Sequence, residues 1–346
     1  MRFALALAVL AGLVAGCGSG STTVPRDFRP EAAASVPPWD YWVVGDYPCG
    51  GGWCLAMVRS TDRGGHFARV DFPSLPSQGN VPTVTFANAR DGYAFEPGSR
   101  LYVTHDGGAT WRPSGASGVS DLDVGGRNVY VVLSRNRVER SSLEARKWHP
   151  LSMPVRFRQL VSVSARGRSV WLLGSTSNLR AGDVALRSRD RGSTWASGRA
   201  PCFAELGGTL VAMGRRTVWA VCPTGMMAGL WLSTDDGRSF SAVRSVHDPG
   251  GVGYPPMTNG AEIFPVTASS AILSGGAQGV LYRTSDAGAH WTRLKETPRF
   301  GDIWWLNVSR NGSGSALAAT QGTAPRTLLW RTADGGKTWK VIPISG

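Results

Sequence analysis

Charge is scarce in this chain, and lysine scarcer still. Only 18% of the 346 residues are charged, and of 37 basic residues only Lys147, Lys295, Lys337 and Lys340 are lysines. The many arginines are spread along the chain rather than gathered in one run, which argues against a nucleic-acid-binding arm or helix. No apolar stripe of 3.6-residue period persists beyond the first sixteen residues, which excludes a helical bundle. Histidine is limited to 5 residues, with no matched pair and no Cys-x-x-Cys, so a zinc site is not expected. Neither a phosphate loop nor a Ser-His-Asp pattern is present. What the chain has in abundance is glycine, at 45 residues, together with 14 tryptophans. That mixture suits many short strands joined by tight turns. The net charge of +13 favours anionic partners or surfaces.

The first residues read as an export signal. Arg2 is a short positive region and Phe3 to Val14 an apolar core, too short for a lasting membrane span. It ends in Val14-Ala15-Gly16-Cys17, which resembles the bacterial lipobox. The resemblance implies cleavage before Cys17 and lipidation of its thiol, and hence an exported protein held on the outer side of the cytoplasmic membrane or in the outer membrane. The expected division is a signal peptide over 1–16, a flexible tether over 17–39 and a single folded domain over 40–346.

Four further cysteines remain: Cys49, Cys54, Cys202 and Cys222. In an exported domain they suggest two disulfides. Of the three possible pairings, Cys49–Cys54 and Cys202–Cys222 are favoured because each lies within one repeat. The competing reading is a metal site.

The repeat itself is Ser/Thr-x-Asp-x-Gly-x-(Thr/Ser/His)-(Trp/Phe). It occurs six times, with its aspartate at Asp62, Asp106, Asp190, Asp235, Asp286 and Asp334. These copies resemble the Asp box, or BNR repeat, of sialidases, sortilin-type receptors, xyloglucanases and photosystem II assembly factors. The motif's chemistry is structural: the Asp and Ser/Thr side chains bond backbone groups of a tight turn, and the Gly takes a positive φ. The closing aromatics fall at 67, 111, 195, 240, 291 and 339. The interval from 111 to 195 is about twice the others, and Ser141 to Trp148 stands where a seventh, decayed copy belongs. Short apolar runs between boxes, such as Gly92-Tyr93-Ala94-Phe95 and Val170-Trp171-Leu172-Leu173, read as strands. The expected fold is all-β: a seven-bladed β-propeller of four-stranded blades with Asp-box hairpins. Only the first repeat lacks an evident inner strand.

The sialidase resemblance implies three substrate-gripping arginines, a Tyr/Glu nucleophile pair and an acid Asp. The nearest match to its first arginine motif is Phe28-Arg29-Pro30, within the expected tether, and no glutamate stands in a familiar sialidase context. The resemblance to the assembly-factor branch, seen in turns such as Asp91-Gly92-Tyr93-Ala94, instead implies a non-catalytic scaffold without a cofactor. The expected partner is an envelope protein or anionic polymer, bound by a monomer. The alternative is a sialidase-like glycoside hydrolase or glycan-binding propeller.

Two sets of contact residues are expected. Turns between first and second strands carry Arg90, Arg127, Arg168, Arg216 and Arg310, which a propeller would gather as a cationic collar on the Asp-box face. Loops of the opposite face are Asp46–Trp53, Thr176–Asp183, Pro223–Gly229 and Val246–Gly260, the last holding His247, Asp248 and Tyr254.

Overall fold

The computed structural model describes residues 22–36, 40–75, 81–176, 183–202, 207–214, 216–224, 227–243, 261–274, 280–294, 300–308, 311–322 and 325–345. Among these described residues the regular elements are strands throughout, arranged as the antiparallel sheets of a β-propeller. Five sheets have four strands each and follow chain order from inner to outer strand. The remaining one, second along the chain, has seven. It is long because the strand Arg112–Gly125 pairs with Ser99–Thr104 through its first half and with Asn128–Leu133 through its second. It therefore serves one sequence repeat as outer strand and the next as inner strand.

The second strand of each repeat is the most deeply buried. Val170 to Leu173 and Val218 to Ala220 are at most 1% exposed, because these strands are covered on both faces by neighbouring sheets. This is why they read as continuous apolar runs rather than alternating ones. The core lies between sheets. Trp42 and Met57 of the first sheet pack with Val84 and Phe86 of the second, and Trp219 and Leu230 of the fourth with Ile263, Leu273 and Trp291 of the fifth.

The ring closes by packing of the first sheet on the sixth. Ala33, Tyr41, Val43 and Val58 share a cluster with Leu317, Leu329 and Ile342. The hydroxyl of Ser315 bonds that of Tyr41 at 2.9 Å, and the Phe67 amide donates to the Ser345 carbonyl at 3.3 Å.

The start of the domain differs from the sequence expectation. The strand Arg29–Val36 lies inside the residues expected to be tether and is the missing inner strand of the first sheet, antiparallel to Asp40–Cys49. Its core positions are alanines: Ala33 faces the sixth sheet and Ala34 the second. Small side chains fit where sheets converge on the axis, but in a sequence they look like linker. The chain is fixed still earlier, since the Thr22 carbonyl accepts the Arg69 amide at 2.8 Å.

Inner strands are tied across the gaps between sheets by side chains. Asp121 accepts the amide of Val163 and Asp123 that of Ala165, each at 2.7 Å. Ser162 and Ser164 in turn accept the amides of Leu210 and Ala212.

Both disulfides form as expected. Cys49–Cys54 closes the hairpin of the first sheet, and Cys202–Cys222 joins the entry of the fourth sheet to its second strand, with Cα atoms 5.8 and 4.9 Å apart.

Candidate functional site

The six aspartates of the repeat are fully engaged in their turns. In the Ser188 copy, Asp190 accepts the Ser188 hydroxyl at 2.7 Å, the Thr194 amide at 2.8 Å and the Thr194 hydroxyl at 2.6 Å. The Gly192 amide donates to Ser188 Oγ at 2.8 Å. The Thr194 hydroxyl and amide hold the Asp190 carboxyl down at about 2. Hydrogen bonds from His290 and Thr284 do the same for Asp286. Burial works upward on Asp106 and Asp334, but their turn hydrogen bonds outweigh it and both also lie at about 2. Asp62 and Asp235 are lowered too, first by the amides of His66 and Ser239. Groups so stabilised as anions cannot act as acids near neutral pH.

The turn needs two residues with positive φ, not one. Position four is left-handed as well, whether it is Gly107 (φ 74°), Arg63 (66°), Arg191 (64°), Asp236 (75°) or Ala287 (59°). The decayed copy keeps its turn without the aspartate: Ala145 has φ 49°, and the Ser141 hydroxyl donates to the Lys147 carbonyl. The glycine at position five has a second duty. A Cβ at Gly237 would come within 3.1 Å of Trp171 on the preceding sheet, and one at Gly288 within 2.6 Å of Trp219. Each box thus seats on the sheet before it.

A further element escaped the sequence reading. The residue just before the box is arginine in five repeats, Arg59, Arg140, Arg187, Arg283 and Arg331. Arg140 donates to the Arg191 carbonyl at 2.8 Å and Arg283 to the Gly335 carbonyl at 3.4 Å. Arg187 reaches the buried Asp236 carboxylate at 2.6 Å. Arg59 donates to the Ala89 carbonyl and lies 5.0 Å over the Trp42 ring. Four of the five, all but Arg331, thus clasp their sheet to position four, or the adjoining turn, of the next. The signal was a residue recurring one place before the motif.

Turns between first and second strands lie against the box turns. The amides of Gly107, Arg191 and Asp236 donate to the carbonyls of Arg90, Arg168 and Arg216. This puts Arg90, Arg168 and Arg216 beside box turns, and these three and Arg127 are exposed. Two of these turns adjoin, since a Cβ on Gly126 would stand 3.2 Å from the Gly167 carbonyl. Arg90 is drawn to the His105 carbonyl. Arg310 lies outside the described residues.

The other ends of the strands hold a cleft of about 460 Å³ between the first and second sheets. It is lined by Glu31, Asp46 and Glu96 together with Trp53, Phe72 and Val81. Trp53 is 53% exposed, with the Arg29 guanidinium 4.1 Å over its ring. Burial, and then the charge of Asp46, push the Glu31 carboxyl up. On the same first sheet, Arg69 donates to the Tyr47 hydroxyl at 2.9 Å. The expected Asp46–Trp53 loop therefore borders a real cavity, while Glu31 and Glu96 were missed. A second cavity, about 520 Å³, lies beside Cys202–Cys222 and is lined by Arg199, Trp231, Arg238 and Phe240. The whole Val246–Gly260 loop with His247, Asp248 and Tyr254 falls outside the described residues, as do Cys17, residues 177–182 of the Thr176–Asp183 loop and residues 225–226 of the Pro223–Gly229 loop. Among the described residues, no three His, Cys, Asp or Glu side chains are grouped so as to hold a metal ion.

No protein-family profile matches the chain. Its sequence is similar to a xyloglucanase of Hypocrea jecorina (strain QM6a), at 30% identity over 196 residues, 46% of this chain and 23% of that protein. A xyloglucanase of Paenibacillus sp is 25% identical over 239 residues, again 23% of its length. The chain thus spans about a quarter of these relatives. Among solved structures it is similar to a Mycobacterium tuberculosis puromycin-hydrolyzing peptidase, with TM-score 0.60 and 10% identity over 92% of this chain and 53% of that one. At that identity the likeness is one of fold. It is also similar to YCF48 bound to D1 peptide, with TM-score 0.49 and 16% identity over 77% of each chain. The fold defines the chain as a β-propeller, and its two disulfides belong to an oxidising, extracytoplasmic compartment.

Proposed function

We propose that this chain is a lipid-anchored, extracytoplasmic β-propeller that holds an envelope protein or anionic polymer without chemical turnover. The seven-stranded sheet is read as two blades sharing the strand Arg112–Gly125, which brings the count to seven. The observation that carries the proposal is the placement of exposed Arg90, Arg168 and Arg216 at turns stitched beside the box turns, with Arg127 exposed at the turn that adjoins that of Arg168. Their cations face solvent in a protein of net charge +13. The carboxylates most conspicuous in sequence, those of the boxes, are tied into turns and held ionised.

The test is binding of purified protein to isolated envelope material at low and high salt. Charge-driven binding weakens as the Debye length falls from ~10 Å at 0.1 M to ~3 Å at 1 M. Replacing Arg127, Arg168 and Arg216 with Ser should weaken binding at low salt and flatten its salt dependence. Parent-like binding by the triple variant at low salt would overturn the proposal.

A second reading is favoured by the cleft, where burial and the charge of Asp46 push the Glu31 carboxyl up beside an exposed tryptophan. An aromatic platform with paired carboxylates suits a glycan, and the relatives that match part of the chain are named xyloglucanases. Release of reducing ends from xyloglucan that disappears in Glu31→Gln would favour this reading over the first.

A further inference from the structure

The seam where the sixth sheet meets the first breaks the pattern of the other junctions in four ways. The first concerns the residue opposite the pre-box position on the second strand. It is Trp42, Tyr93, Tyr130, Trp171, Trp219 or Ile272 in successive repeats. At the seam it is Ser315, opposite Arg331. Elsewhere the large side chain reaches the next box: Trp42 donates to the Gly107 carbonyl at 2.8 Å and Trp171 to that of Asp236 at 3.1 Å. Ser315 is too short to do so and turns to Tyr41.

The second break is at position four of the box that Arg331 meets, which is Arg63. Where Arg140 meets Arg191, its guanidinium is bonded to the Arg191 carbonyl. Arg331 makes no such bond. The third is the cross-strand neighbour. Arg59, Arg187 and Arg283 lie opposite Ala68, Ala196 and Thr292, and Arg140 opposite His149, whereas Arg331 alone of the five lies opposite a lysine, Lys340. Like charges in that relation repel. The fourth is space. Arg63, Arg331 and Lys340, with Ser313 and Thr338, line a cavity of about 260 Å³. All three cations are exposed, and among the described residues none has an ion-pair partner. The two nearest box aspartates are occupied, Asp62 with Ser60 and His66 and Asp334 with Thr332 and Thr338.

We propose that this seam notch is an oxyanion site that takes a phosphoryl group. Three cations lining one notch, none of them ion-paired, repel one another, and an anion that bridges them relieves the repulsion. Guanidinium groups match phosphoryl oxygens with paired donors. The missing aromatic supplies the room, so the notch can admit a phosphate ester as well as the free ion. Arg90, Arg127, Arg168 and Arg216 take no part, so a failure of the collar variants leaves this site intact and the reverse also holds.

Inorganic phosphate is the first probe, titrated into the purified full chain by calorimetry and by thermal melting, with chloride at matched ionic strength as reference. Saturable binding and a rise in Tm are expected. Arg331→Gln and Arg63→Gln should each weaken binding about ten-fold or more. Arg112→Gln, the same charge change on another sheet, should bind as the parent does. Without phosphate, Arg331→Gln should match or exceed the parent Tm, because it relieves repulsion, whereas the clasp variant Arg283→Gln should lower it. Vesicles of phosphatidylglycerol, compared with phosphatidylcholine, identify the source. Binding competed by inorganic phosphate assigns the site to a headgroup, and phosphate binding without vesicle binding assigns it to a soluble ester. The proposal is overturned if phosphate acts no differently from chloride, if Arg112→Gln weakens binding as much as Arg331→Gln, or if Arg331→Gln melts as low as Arg283→Gln.

Discussion

Replacing Asp123 by Asn should change not only how stable the propeller is but how its stability depends on pH. Asp123 lies on the inner strand Arg112–Gly125, where its carboxylate accepts the amides of Ala165 at 2.7 Å and Val124 at 2.7 Å. Burial pushes its pKa from 3.8 to about 7, against the pull of those amides. Asp121, two residues earlier, is pushed to about 6 for the same reason. A carboxyl whose folded pKa is raised binds more protons folded than unfolded. Its contribution is therefore complete below pH 3.8 and is lost as pH rises through about 7. The displacement is about three units, each about 1.4 kcal/mol, so Asp123 alone sets a ceiling of about 4 kcal/mol on the fall. The box aspartates do not mask it, because their lowered values confine their titration to strongly acidic solution. Asparagine keeps one acceptor for two amides and leaves the other facing a donor, a cost of about 1–3 kcal/mol. That cost should appear at pH 5 and shrink or reverse at pH 8, where no ionised carboxylate needs burying. Urea unfolding of both proteins at pH 5, 6, 7 and 8 decides it. The parent midpoint should drop across the series and that of Asp123→Asn should stay flatter. A parent midpoint that is constant or climbs, or equal slopes in the two proteins, would refute the reasoning.

Other outcomes are expected. Gly64→Ala should lower Tm and loosen the ring at its seam, because Gly64 has φ 82° and a Cβ there would stand 2.6 Å from Ile342; a melting curve and limited proteolysis read both. Removing Cys202–Cys222, which spans 20 residues, should cost about 3 kcal/mol, and removing Cys49–Cys54, which spans 5, about 2, measured by denaturation of the paired serine variants. Cys17→Ala should leave the protein unprocessed or release it from the membrane, as fractionation would reveal.

The propeller itself was legible because its signal is local. Each copy of the repeat carries its own donors, acceptors and left-handed glycine within eight residues, so spacing alone announced the repeat, and at Ser141 to Trp148 a turn with Ala145 at φ 49° forms without the aspartate. The pairing of the four cysteines followed from the same periodicity. The inner strand Arg29–Val36 was illegible because, where sheets converge on the axis, packing selects alanine, and alanine also suits a tether. The cleft of Glu31, Asp46 and Glu96 draws on two sheets, and nothing in any one segment marks its members as neighbours. The seam notch is more remote still, for it depends on Ser315 lacking the bulk that its counterparts have, and on Arg63 and Arg331, 268 positions apart, meeting only when the ring closes. Sequence by itself determined the repeat, the turn chemistry and the disulfides, since each is decided by residues within one hairpin or one repeat. Which cations and carboxylates converge, and which are left without a partner, was decided only by closure of the ring, because electrostatics acts across space and takes no account of distance along the chain.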